Sequence, residues 1–109
     1  MPHVIRLRVP WRRQQDDAGR TISLRRFHAP TGLADATRVK LRLTLPPDAV
    51  ALSLDGQIMW KAKGQQASET IAVEISQRLH GTHEISVTCQ ESVIDNAELE
   101  IEKADDPQP

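Results

Sequence analysis

Residues 38–60 read RVKLRLTLPPDAVALSLDGQIMW, and the spacing of their apolar side chains decides the fold. Val39, Leu41, Leu43 and Leu45 recur at every second place, with Arg38, Lys40, Arg42 and Thr44 between them. A period of two puts the two sets on opposite sides of an extended chain, which is the mark of a strand with one buried face. Pro46 and Pro47 offer no N–H to a ladder and end the strand. Val50, Leu52 and Leu54 then lead into Asp55-Gly56, and Ile58 and Trp60 lead away. Asp-Gly suits a two-residue hairpin turn because both central residues must take positive φ. The stretch predicts a strand, a stop and a hairpin, with Ile58 and Trp60 together in the core.

The same alternation extends in both directions. Ile5, Leu7 and Val9 alternate with Arg6 and Arg8, and Ile22 and Leu24 alternate with Ser23 and Arg25. Downstream, Ile71, Val73 and Ile75 form one row, Ile85, Val87 and Cys89 a second, and Ala97, Leu99 and Ile101 a third. No stretch long enough for a helix carries a 3.6-residue apolar period. About seven or eight short strands separated by turns imply two packed antiparallel sheets, because a single sheet would leave its apolar face in water. The expectation is an all-β sandwich.

A chain of 109 residues makes one domain, assigned to 1–103, and the tail ADDPQP at 104–109 has no apolar anchor and is expected to fray. Fourteen Lys and Arg against fifteen Asp and Glu leave a formal charge of −1, so no global field draws in nucleic acid or an anionic membrane. The N-terminal stretch lacks the uninterrupted apolar run of a signal peptide, and no segment reaches the roughly 20 apolar residues of a membrane helix. A cytoplasmic location is expected. Glu98, Glu100 and Glu102 share the outward side of the last strand, about 6 to 7 Å apart. Their repulsion predicts a basic neighbour, either Arg38, Lys40 and Arg42 or, the preferred choice, Arg6 and Arg8.

Taken in order, residues 38–60 and then ETIAVEISQRLHGTHEISVTC (69–89) resemble the second half of a galactose-binding-like jelly roll. Such domains precede the catalytic barrel in family 2 glycoside hydrolases and are themselves non-catalytic. Leu54-Asp55-Gly56 stands where that family has Leu-Asn-Gly. Val73-Glu74-Ile75, Leu79 with Gly81, and Ile85 with Val87 match its following elements. The likeness covers about residues 38–90. It implies a jelly-roll sandwich whose rim loops bind sugar or calcium, or that serves as a spacer; fold likeness alone carries no activity.

Candidate chemistry is sparse. His80 and His83 flank Gly81, but a zinc site needs three or four ligands, so both are read as exposed turn residues, as are His3 and His28. Cys89 follows the buried parity of its strand and is read as a small core residue. Ser86 and Ser92 sit in no Gly-x-Ser-x-Gly elbow. Asp16, Asp17, Asp95 and Asn96 lack the alternating ligand spacing of a calcium loop. Neither a metal nor a cofactor is expected.

Trp11 is the one aromatic read as a platform, beside Arg12 and Arg13. Those three residues, with Asp55, are the candidate ligand-binding set, provided that loops 12–20 and 62–69 converge. Arg25 and Arg26 before Phe27 form a second basic-aromatic cluster that would hold a phosphate or a base, set against the balanced net charge. The expected function is a non-catalytic domain that binds a protein partner or itself, as a homodimer through an edge strand. A carbohydrate-binding module at the Trp11 rim is the first alternative. A small hydrolase is the second; it would need a deep pocket holding His80 or His83 with a carboxylate in reach.

Overall fold

A computed structural model describes residues 3–8, 11–29, 37–63, 67–76 and 81–103, and the tail 104–109, His80 and Val9 lie outside them. The described residues form nine strands and no α-helix. These are β1 (His3–Leu7), β2 (Arg12–Gln15), β3 (Thr21–His28), β4 (Thr37–Leu45), β5 (Ala49–Leu54), β6 (Gln57–Lys61), β7 (Glu69–Glu74), β8 (Thr82–Cys89) and β9 (Ala97–Lys103). They make two antiparallel sheets, ordered β1-β9-β4-β7 and β2-β3-β8-β5-β6. With β2 set aside, each sheet has four strands and successive segments cross between layers except at the β5–β6 hairpin, an order compatible with a double-sheet jelly roll.

Between the layers lies one core. Val39, Leu41, Leu43 and Leu45 from β4 meet Leu52 and Leu54 from β5, Ile85, Val87 and Cys89 from β8, and Ala97 and Leu99 from β9, all buried. Burying each large aliphatic side chain contributes roughly 1.5–3 kcal/mol. The alternation in the sequence becomes this interior directly.

Two strands depart from their expected parity. In β3, Ser23 stands opposite Val87 and Phe27 opposite His83, so Ser23, Arg25 and Phe27 share the inner face while Ile22 and Leu24 face outward. Phe27 takes the core place that Ile22 and Leu24 were expected to fill. Ser23 is fully buried there because its Oγ accepts a bond from the Ile94 N–H at 2.9 Å, which pins the connection between β8 and β9.

The hairpin brings the second departure. Leu52 pairs Trp60, but Ser53 pairs Ile58, and the register shift between them leaves Met59 as an extra residue. A bulge of this kind reverses the alternation. Trp60 packs against the core as expected, whereas Ile58 is turned out and 58% exposed. A similar shift between Ala49 and Ala51 puts Ala49, and not Val50, into the core.

The outer faces of the two layers differ in kind. In the four-stranded sheet, β9 lies between β1 and β4, so its glutamates have the basic row of β4 along one side, while on β1 Arg6 flanks Glu98 and Val4 flanks Glu100. Arg6 stands opposite Glu98, and Arg38, Lys40 and Arg42 stand opposite Glu102, Glu100 and Glu98. In the five-stranded sheet, the corresponding rows are Leu24, Ser86, Ser53 and Ile58, then Ile22, Thr88 and Ala51. The middles of those rows carry no charge; Arg12 stands at the β2 end of the first and Lys61 at the β6 end of the second.

Candidate functional site

Asp55 and Gly56 have φ of 52° and 82°, as a two-residue turn between Leu54 and Gln57 requires. The Asp55 side chain does more than close the turn. Its Oδ2 lies 2.6 Å from His83 Nδ1, and its Oδ1 accepts the Glu84 N–H at 2.8 Å. The Asp55 N–H in turn donates to the Glu84 carbonyl at 2.9 Å. The hairpin tip is thus stitched to β8. Burial is the largest influence on the Asp55 carboxyl and opposes its ionisation. The bonds from His83 and the Glu84 N–H outweigh it and hold the carboxyl below its ordinary value.

His83 is not an exposed turn residue. It shares the inner parity of Ile85 and Val87, is 5% exposed, and packs on Phe27 with ring centroids 5.6 Å apart. Asp55 supplies the partner that lets an imidazole sit at the end of an apolar row. Its other sequence partner, His80, is outside the described residues.

On the outer face above it, Glu84 gathers two arginines. Arg12 from β2 approaches Glu84 Oε2 at 2.5 Å and Arg26 from β3 approaches the same oxygen at 3.4 Å. Arg12 stands opposite Leu24, so its reach to β8 carries the side chain across β3 at the place where Leu24 is buried. Arginine stems cover apolar surface in this way while the guanidinium stays wet. Next to the pair, Thr82 Oγ1 lies 2.9 Å from His28 Nδ1. Arg26, Asp55, Thr82, His83 and Glu84 line an open depression of about 250 Å³.

Of the four residues singled out from the sequence, Arg12 and Asp55 are brought together, with Glu84 bonded to both. Arg13 stands opposite Ser23, on the other side of β2 from Arg12. Trp11 is 8% exposed and its Nε1 donates to the Leu7 carbonyl at 2.9 Å, so the ring belongs to the core and offers no open face. Residues 12–20 are not a loop but β2 and a tight turn. Asp16 caps that turn, accepting from the N–H groups of Ala18 and Arg20 at 3.0 and 2.9 Å, with Gly19 at φ 79°. The Asp16 carboxyl is held down first by the Arg20 backbone bond.

The remaining candidates are equally committed. Asp95 and Asn96 line a separate groove of about 310 Å³ with Arg42, Thr70, Val93 and Glu98. Among the described residues no three His, Cys, Asp or Glu side chains group as metal ligands. Cys89 is buried, and desolvation followed by the Asp48 charge pushes its thiol up to about 11. Asp48 Oδ2 accepts from the N–H groups of Glu91 and Ser92, both at 2.8 Å. Thr82 and His83 are neighbours on one strand and point to opposite faces, so the hydroxyl and the Asp55-paired imidazole do not meet. The Thr82 hydroxyl meets the His28 ring instead.

No protein-family model, curated protein or solved structure matches the chain. Among the described residues no helix is long and apolar enough to cross a membrane.

Proposed function

We propose that this chain is a non-catalytic interaction domain of the galactose-binding-like type, acting in the cytoplasm, and that its first partner is a second copy of itself joined through β6. The observation that carries the reading is the outer row Ser86, Ser53 and Ile58, which bears no charge on its β6 side and ends in an exposed isoleucine on an edge strand. An edge strand presents unpaired N–H and C=O groups, and natural edges are usually blunted by charge or proline. β6 reads Gln57-Ile58-Met59-Trp60-Lys61, three large apolar residues with one charge at an end.

Antiparallel pairing of β6 with its own copy is a closed two-fold arrangement that uses the same residues twice. The two lysines then lie at opposite ends of the new ladder, and the rows beside them bring no like charges together. The strand order and the Asp55-Gly56 turn support the galactose-binding-like assignment. The sugar reading is set aside because Trp11 has no exposed ring.

Light scattering and sedimentation of the full chain across a concentration series test this. A dimer that becomes a monomer in Ile58→Lys, with an unchanged near-ultraviolet circular dichroism spectrum, is expected. A wild-type mass that stays monomeric at every concentration overturns the proposal.

A further inference from the structure

The opposite edge of the same sheet has a different character. Arg8, Arg12, Arg13, Arg25 and Arg26 gather where the chain passes from β1 into the β2–β3 pair. Arg25 Nε donates to the Arg8 carbonyl at 2.9 Å, Arg12 and Arg26 meet at Glu84, and Arg13 stands opposite Ser23 beside Arg25. Among the described residues Glu84 is the only carboxylate ion-paired with any of the five. A chain of formal charge −1 thus gathers five of its fourteen Lys and Arg at one sheet edge. The guanidinium-bearing side chains of Arg12 and Arg26 remain 61% and 71% exposed.

β2 forms that edge. It has β3 as its strand neighbour, all four of its residues are exposed, and Arg12 and Arg13 project to opposite faces. Elsewhere the molecule shows which neighbour a basic strand accepts. In the four-stranded sheet the acidic β9 lies against Arg6 on one side and Arg38, Lys40 and Arg42 on the other. β2 carries the basic half of such a ladder, and among the described residues no strand pairs with its outer side.

We infer that β2 is a docking edge for an extended acidic segment of another protein, which adds as a strand and sets successive carboxylates against Arg12 on one face and Arg13 on the other. Strand addition takes affinity from main-chain bonds and specificity from alternate side chains. Arginine–carboxylate pairs add directional, charge-assisted bonds. A nucleic acid fits less well, since single strands are held by stacking on exposed rings. Trp11 and Phe27, the aromatic residues nearest the arginines, are both buried. This inference does not depend on pairing through β6, which is the other edge of the sheet.

The test uses the full chain and a fluorescein-labelled peptide of alternating valine and paired glutamates, followed by anisotropy at low and physiological salt. An oligothymidylate of equal charge serves as the competing polyanion. Expected are saturable peptide binding, slowed amide exchange by NMR confined to residues 12–15, and a loss of about tenfold or more in affinity for Arg13→Glu. Arg13→Lys is expected to keep most of the binding. Peptide binding without protection of the β2 amides, equal or tighter binding of the oligothymidylate, or no peptide binding at low salt would each overturn the inference. Ile58→Lys leaves the peptide affinity unchanged, which separates failure of this site from failure of the dimer.

Discussion

The two outer faces of this sandwich answer the same problem in opposite ways. On the four-stranded sheet, three glutamates lie in register with the basic row of β4, and Arg6 of β1 flanks Glu98 from the other side, so the face is a charged ladder content in water. On the five-stranded sheet, the equivalent positions hold Leu24, Ser86, Ser53, Ile58, Ile22, Thr88 and Ala51, and charge is pushed to the β2 edge, the Asp55 rim and Lys61 at the end of β6. Both faces cover the same core. The difference lies in what each face presents to solvent, a charged ladder on one side and an uncharged middle on the other.

The widest break in that comparison comes from the core beneath. Leu41→Ala, behind the charged face, and Leu52→Ala, behind the uncharged one, should each cost about 2–5 kcal/mol in urea unfolding. A loss for either well below that range would mean its sheet is not packed on a shared interior. Next, Ser23→Ala removes the acceptor of the buried Ile94 N–H and should cost about 1–3 kcal/mol, with faster amide exchange across residues 90–96.

A pH series sharpens the contrast at the Asp55 rim. The folded carboxyl lies below its ordinary value of 3.8, so its contribution is complete above that value and is lost as pH falls through the lowered one. Asp55→Asn should flatten part of the acid limb of the urea midpoint between about pH 5 and pH 2, leaving the slope due to Asp16 and Asp48, which are lowered in the same direction. Solvent screening keeps the effect small because the side chain is half exposed. Smallest is Glu100→Lys, which places like charge opposite Lys40 and should cost about 0.2–1 kcal/mol, less at high salt. A loss as large as that of Leu41→Ala would show that the charged face is not a solvated ladder.

Much of this was legible in the residues. The rows in β4, β7, β8 and β9 pass straight from period-two alternation into the interior, and the glutamate row announced its basic neighbours. Alternation says which residues share a face, not which face is wet. In β3 the deciding clue was Phe27, on the parity of Ser23 and Arg25, since a large aromatic outweighs Ile22 and Leu24 in the contest for the core. His83 was equally available, two places before Ile85. Ile58 was not, because a single bulged residue reverses a strand without leaving a mark in the pattern. β2 carries no apolar row at all and is a strand through its pairing with β3; only the turn residues Asp16 and Gly19 hinted at a hairpin. Trp11 finds a carbonyl for its indole N–H four residues back, which no spacing rule reveals.

The placement of β9 has a consequence for how this chain is made. The last described strand enters the middle of its sheet, so while residues 97–103 are still inside the ribosome, β1 and β4 have no bridge between them and the interior faces solvent on that side. The nascent chain must wait, with two sticky borders uncovered, for β9 to arrive and lock the layer shut.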